Sequence, residues 1–208
     1  MAVAFWRPAG AAMVRGTWAA LAGVALAASP AHALWLDLRP AQVAEAVAYG
    51  RAARDVSPEV FEREWRVVAE DGGGVATVDS EFLVLARVAR ELARRGNPED
   101  LNLPEALCAF LAGPALYVGV TLQVPGEEEA RALDAWLEAG ARVIAPLDVW
   151  PDQFVVRETG PAVPSGIRVS HYLKFPLDGI DRQGRVIVVT RGSGARIWRF
   201  VLDLGAMR

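Results

Sequence analysis

Lysine is almost missing from this sequence: Lys174 stands alone among 22 basic residues. With a formal net charge of −3 over 208 residues, the chain has no concentrated basic surface of the kind that phosphate backbones need, so nucleic acid is excluded as a main ligand. Cysteine is just as scarce. The single Cys108 cannot form an internal disulfide, which excludes a disulfide scaffold. There are two histidines, and no glycine repeat of a fibrous protein.

What is present is mostly apolar: 53% of residues are hydrophobic and 23% charged, the balance of a chain that buries a core. The amino-terminal 33 residues differ from the rest. Arg7 and Arg15 are the only charges before Asp37, the run Trp18 to Ala28 is small or apolar throughout, and Ser29-Pro30 leads into Ala31-His32-Ala33. A basic head, an apolar middle and an A-x-A site predict a secretory signal peptide cut after Ala33. The run is shorter than the roughly 20 residues that span a bilayer. An uncleaved anchor reaching back to Ala11 is the alternative, against which Arg15 and Gly16 interrupt the extension.

Cleavage would remove two basic residues and no acidic one, leaving a more acidic exported chain with one histidine, His171, and no partner for Cys108. The excess of Arg over Lys and the high Ala content resemble those of proteins from high-GC bacteria, which makes the periplasm or the medium the expected compartment.

The first half reads as helical. Val43, Ala46, Val47 and Gly50 share one side of a segment from Pro40 to Arg54. Ser57-Pro58-Glu59 is a helix start, followed by Phe61, Trp65 and Val68 at i, i+4, i+7, with Asp71-Gly72-Gly73-Gly74 as its stop. After an apolar link, Val75 to Val78, Asp79-Ser80-Glu81 caps a third helix running to Arg95, and Gly96 ends it. A short fourth helix is predicted from Pro104 to Gly113, with Cys108 facing inward as an inert thiol. Leu34 to Leu38 is expected to pair as an edge strand or to cover the core.

The second half changes to period 2. Strands are predicted at Leu116 to Val124, Arg142 to Val149, Gln153 to Arg157, Ile167 to Phe175, Arg185 to Arg191 and Ala195 to Asp203. One helix, opened by Glu127-Glu128-Glu129 and closed by Gly140, is inserted among them. Val186 to Val189 is apolar on both faces and suits a central strand, with Gly192-Ser193-Gly194 as the turn after it. The fold class is α+β: a helical segment, 34–112, packed on an antiparallel sheet or small sandwich, 113–208, with one inserted helix.

Few chemistries fit. A multi-histidine zinc site is impossible in the mature chain, no cofactor motif is present, and neither glycine cluster has the context of a phosphate loop. Asp178-Gly179 and Asp181 to Gly184 are wrongly spaced for an EF-hand. Asp148, Asp152 and Glu158 fall around Trp150-Pro151, and with His171 they form the candidate catalytic set of an exported hydrolase. His171, however, shares strand parity with Ile167, Val169, Leu173 and Phe175, which predicts an inward-facing histidine. Arg87, Arg90, Arg94 and Arg95 interleave with Glu81 and Glu91 as a solvated helix face, able to meet an anionic lipid headgroup or an acidic partner. Trp150 and Tyr172 are the candidate ligand-binding residues. The leading expectation is a non-enzymatic exported binding module for an envelope protein or small ligand; the alternatives are the hydrolase and a self-associating envelope component.

Overall fold

The computed structural model describes residues 34, 38–97, 115–151, 156–158, 166–193 and 196–208. The signal-like segment, the helix expected at Pro104 with Cys108, and Asp152 lie outside the described residues. No helix among the described residues is long and apolar enough to cross a membrane.

Two helices pack together. α1 (Pro40–Ala52) buries Ala46 and Gly50, and α3 (Glu81–Arg94) buries Phe82, Leu83, Val84, Leu85, Ala86 and Ala89. Gly50 is where they touch: a Cβ there would collide with the Ala86 carbonyl, so only glycine allows the approach. Ser80 caps α3 by accepting from Leu83 N at 3.2 Å, and Gly96, at φ 80°, ends it. Between them, α2 (Pro58–Phe61) is a single turn that passes through a 3-10 turn, Arg63–Trp65, into β1 (Arg66–Val68).

The longer helix expected after Ser57 is therefore corrected, and so is the apolar link, which is β2 (Gly74–Val78). Phe61 and Trp65 are buried as their spacing implies, but Val67 and Val68 pair with Ala76 and Val75 across the glycine turn. β-branched residues on both sides of a turn make a hairpin more favourable than another helical turn.

β3 (Ala115–Val124) and β8 (Gly166–Pro176) form the longest pairing, Ala115↔Pro176 through Val124↔Ile167. With them β1, β2, β6 (Asp148–Pro151) and β7 (Val156–Glu158) complete a six-stranded antiparallel sheet in the order β1-β2-β3-β8-β6. β7 shares with β6 the outer edge of β8. The helical half thus supplies two of this sheet's strands. The four-stranded antiparallel sheet has the order β10-β9-β4-β5, from β4 (Asp134–Ala139), β5 (Arg142–Ile144), β9 (Arg185–Arg191) and β10 (Ile197–Asp203). β9 is central, as its apolar run requires.

Two further expectations are corrected. The inserted helix, α4, covers only Glu127–Arg131, and Trp136 and Leu137 lie in β4. Ala135, Leu137 and Ala139 alternate with Trp136 and Glu138, and pairing with β9 lets the period-2 pattern win over the helical one. The single strand expected from Arg142 to Val149 is split by Ala145-Pro146-Leu147, where the chain crosses between sheets; proline, lacking an N–H, ends the pairing.

The sheets meet through their apolar faces. Ala76, Val78, Val118, Val120, Leu122, Val169 and Leu173 from one, with Val188, Leu137, Trp198, Phe200 and Leu202 from the other, join a core that continues into Phe61, Trp65 and Phe82. Gly74 marks their close approach: a Cβ there would stand 2.6 Å from Leu122 Cδ2 and 3.2 Å from Phe200 Cζ. Leu34 is buried in the same core and Leu38 packs against it, while residues 35–37 of that segment lie outside the described residues.

Candidate functional site

Side chains of a strand alternate between faces, and directly opposed residues share a face. In β8 this puts His171 with Val169 and Leu173 on the face toward the second sheet, and Ser170, Tyr172 and Lys174 on the outer face. β6 follows by register. Asp148 opposes Lys174 and Trp150 opposes Tyr172, so both are on the outer face. By parity, therefore, the side chains of His171 and Asp148 fall on opposite faces of the sheet. Glu158, in β7, pairs through its backbone with Gly166 of β8.

The outer face holds the ligand candidates together. Trp150, 39% exposed, is the cross-strand partner of Tyr172 and stacks on Tyr117 at 6.4 Å between ring centroids and 13° between planes. Lys174 Nζ sits 5.5 Å from the Tyr117 centroid. Tyr172 opposes Gly119, whose missing side chain lets the tyrosine ring lie along the sheet; a Cβ there would come 3.3 Å from Tyr172 Cε1.

Next to this aromatic edge is a concavity of about 410 Å³ whose walls include Thr77, Gly119, Thr121, Ser170 and Tyr172. It shares Glu62, Thr77, Thr121 and Ser170 with a second concavity of about 510 Å³ that reaches Glu59, Arg66, Gln123 and Arg168. Together they form one groove. Its floor carries hydroxyls, with Thr121 Oγ1 and Ser170 Oγ hydrogen-bonded at 2.9 Å.

One end of the groove is closed by an ion cluster. Arg87 donates from Nε to Glu62 at 2.7 Å and from Nη1 to Asp79 at 2.7 Å. Asp79 is 5% exposed, and burial pushes its carboxyl above the ordinary value while Arg87 pulls it back. Burial works against the Arg87 charge as well, but the two carboxylates outweigh it and hold the guanidinium protonated. With its carboxylate engaged in this way, Asp79 is a wall of the groove.

The sequence reading missed this cluster. Asp79 was placed in a helix start and Arg87 on a solvated face. Arg94 and Arg95 do belong to that face, pairing with Glu91. Arg90 instead turns inward, donating to the Ala53 and Val56 carbonyls and lying 5.0 Å over the Phe61 ring. The signal was spacing: Leu83, Arg87 and Arg90 stand at i, i+4, i+7, so both arginines flank the apolar stripe and reach along it.

The described residues contain no group of three or more His, Cys, Asp or Glu placed to hold a metal ion. Fold and site together define an α+β protein of two facing antiparallel sheets, with an open polar groove on the outside of the larger one. No protein-family model, no curated protein and no solved structure matches the chain.

Proposed function

We propose that this is an exported cell-envelope protein acting as a binding module without catalysis, and that the outer groove holds an oligosaccharide. The observation that carries the reading is the juxtaposition of Trp150 and Tyr172 beside a groove whose floor is made of hydroxyls. Sugar rings offer apolar C–H faces and a rim of hydroxyls, and aromatic side chains with one polar handle complement the first while Ser, Thr and charged groups complement the second.

Charge balance supports a neutral ligand. Arg66, Arg87 and Arg168 are matched in the groove by Glu59, Glu62 and Asp79, which gives donors and acceptors without a net field to favour phosphate or an acidic chain. Export follows from the basic, apolar and A-x-A segments of the first 33 residues. Calorimetric titration with soluble chito- and cello-oligosaccharides tests the reading. Saturable binding is expected, weakened at least tenfold by Trp150→Ala or Tyr172→Ala at unchanged fold. Failure of the whole panel to bind, or variants that bind as the parent does, would overturn it.

A further inference from the structure

The inner face of the same sheet carries a second, chemically different space. A cavity of about 160 Å³ lies between the two sheets, bounded by Val120, His171 and Leu173 on one side and by Leu133, Ala135 and Thr190 on the other. The crossing segment Ala145-Pro146 covers it, and exposed Val149 and Asp134 mark its rim. Asp134 is paired with Arg191 at 2.8 Å, so its charge is directed to that partner.

Two features set this space apart from a packing defect. Its walls are mainly apolar, yet Thr190, only 3% exposed, lines it with an Oγ1 that makes no hydrogen bond among the described residues. A buried hydroxyl without a partner costs about 1–3 kcal/mol relative to one that is satisfied. The His171 ring reaches the same space, with Nε2 buried. Size then limits the occupant, because a dry engineered cavity of about 150 Å³ in another protein takes up benzene.

We propose that this inter-sheet cavity is a binding site for a small, mostly apolar molecule of about one ring that bears a single hydroxyl, with the hydroxyl meeting Thr190 and His171 and the ring lying among Val120, Leu133, Ala135 and Leu173. The site is independent of the outer groove and does not rest on the oligosaccharide reading. A cavity that holds only water is the competing state, since water too would satisfy the threonine.

Phenol and toluene, nearly equal in size, separate these states. Titration of isotope-labelled protein followed by NMR should give saturable shifts at Thr190, Ala135 and Leu173, with phenol about three- to tenfold tighter than toluene, the value of one net hydrogen bond. Thr190→Val keeps the side-chain shape and should reduce the preference for phenol to what His171 alone supports. Ala135→Leu should fill the space and block both probes, and if that variant does not fold, Thr190→Val still decides the matter. The proposal is overturned by the absence of a saturable shift with either probe, by equal affinity of phenol and toluene for the parent, by an unchanged preference in Thr190→Val, or by shifts confined to Tyr172 and the outer groove.

Discussion

β2, β3 and β8 each give alternate residues to two faces of one sheet, and the two sets differ in nearly every property. The inner set, Ala76, Val78, Val118, Val120, Leu122, Val169 and Leu173, is buried against the second sheet. The outer set, Thr77, Gly119, Thr121, Ser170 and Tyr172, forms the polar groove. Hydroxyls and the Tyr172 ring line an open groove on the outer face, while Tyr117 on the same face is buried, and such a surface is where a binding site can be placed at little cost to stability. The inner face is held by packing, and the unsatisfied hydroxyl it meets, that of Thr190, belongs to β9 of the second sheet.

Arg87 is the exception that most sharply tests this division, because it faces the groove yet belongs to a buried ion cluster. Arg87→Met should cost about 3–5 kcal/mol in denaturant unfolding, since it leaves Asp79 and Glu62 without a counter-charge. The loss should depend on pH in a set direction. Asp79 binds its proton more tightly folded than unfolded, because burial raises its carboxyl, so protonation favours the folded state as pH falls through that raised value. Without Arg87 the carboxyl rises further, and the gap between variant and parent should narrow from pH 7 toward pH 4. A gap that stays constant or widens over that range would mean that Asp79 is not the group left uncompensated.

Adjacent residues give the cleanest contrast of faces. Leu173→Ala, on the inner face, should cost about 2–5 kcal/mol through lost burial and the cavity left behind. Tyr172→Ala, one position away on the outer face, should cost about 1 kcal/mol while removing the aromatic edge of the groove. Similar losses for the two would erase the distinction between them.

The same contrast explains what was legible in the sequence. β3, β8 and β10 announce themselves because one face is apolar and the other is not, β9 because its run Val186 to Val189 is apolar on both, and His171 could be placed inward from parity alone. β1, β2 and β4 were hidden: each is short, and Phe61–Trp65 and Leu133–Leu137 also fit a helical period, so only their partners decide between the two. Trp150 and Tyr172 were singled out as ligand candidates, but their adjacency depends on the β6–β8 register, which no local pattern encodes. The Asp79–Arg87–Glu62 cluster joins three separate segments and has the same difficulty. Charge on a helix reads as solvated until the neighbouring layer is known.

The smallest expected effect probes whether the outer aromatic edge is free to adjust. Gly119→Ala adds a Cβ that would stand 3.3 Å from Tyr172 Cε1, so the ring must yield by a few tenths of an ångström. On an open face it can tilt toward solvent. That small strain is offset by the lower chain entropy of alanine than glycine in the unfolded state, and the net change in stability should stay within about 0.5 kcal/mol. Oligosaccharide affinity should respond more than stability, because the tilt moves the surface on which a sugar would lie. A loss of more than about 2 kcal/mol would mean that the Tyr172 ring is locked as firmly as an interior side chain, and the outer face would then have to be counted as part of the core.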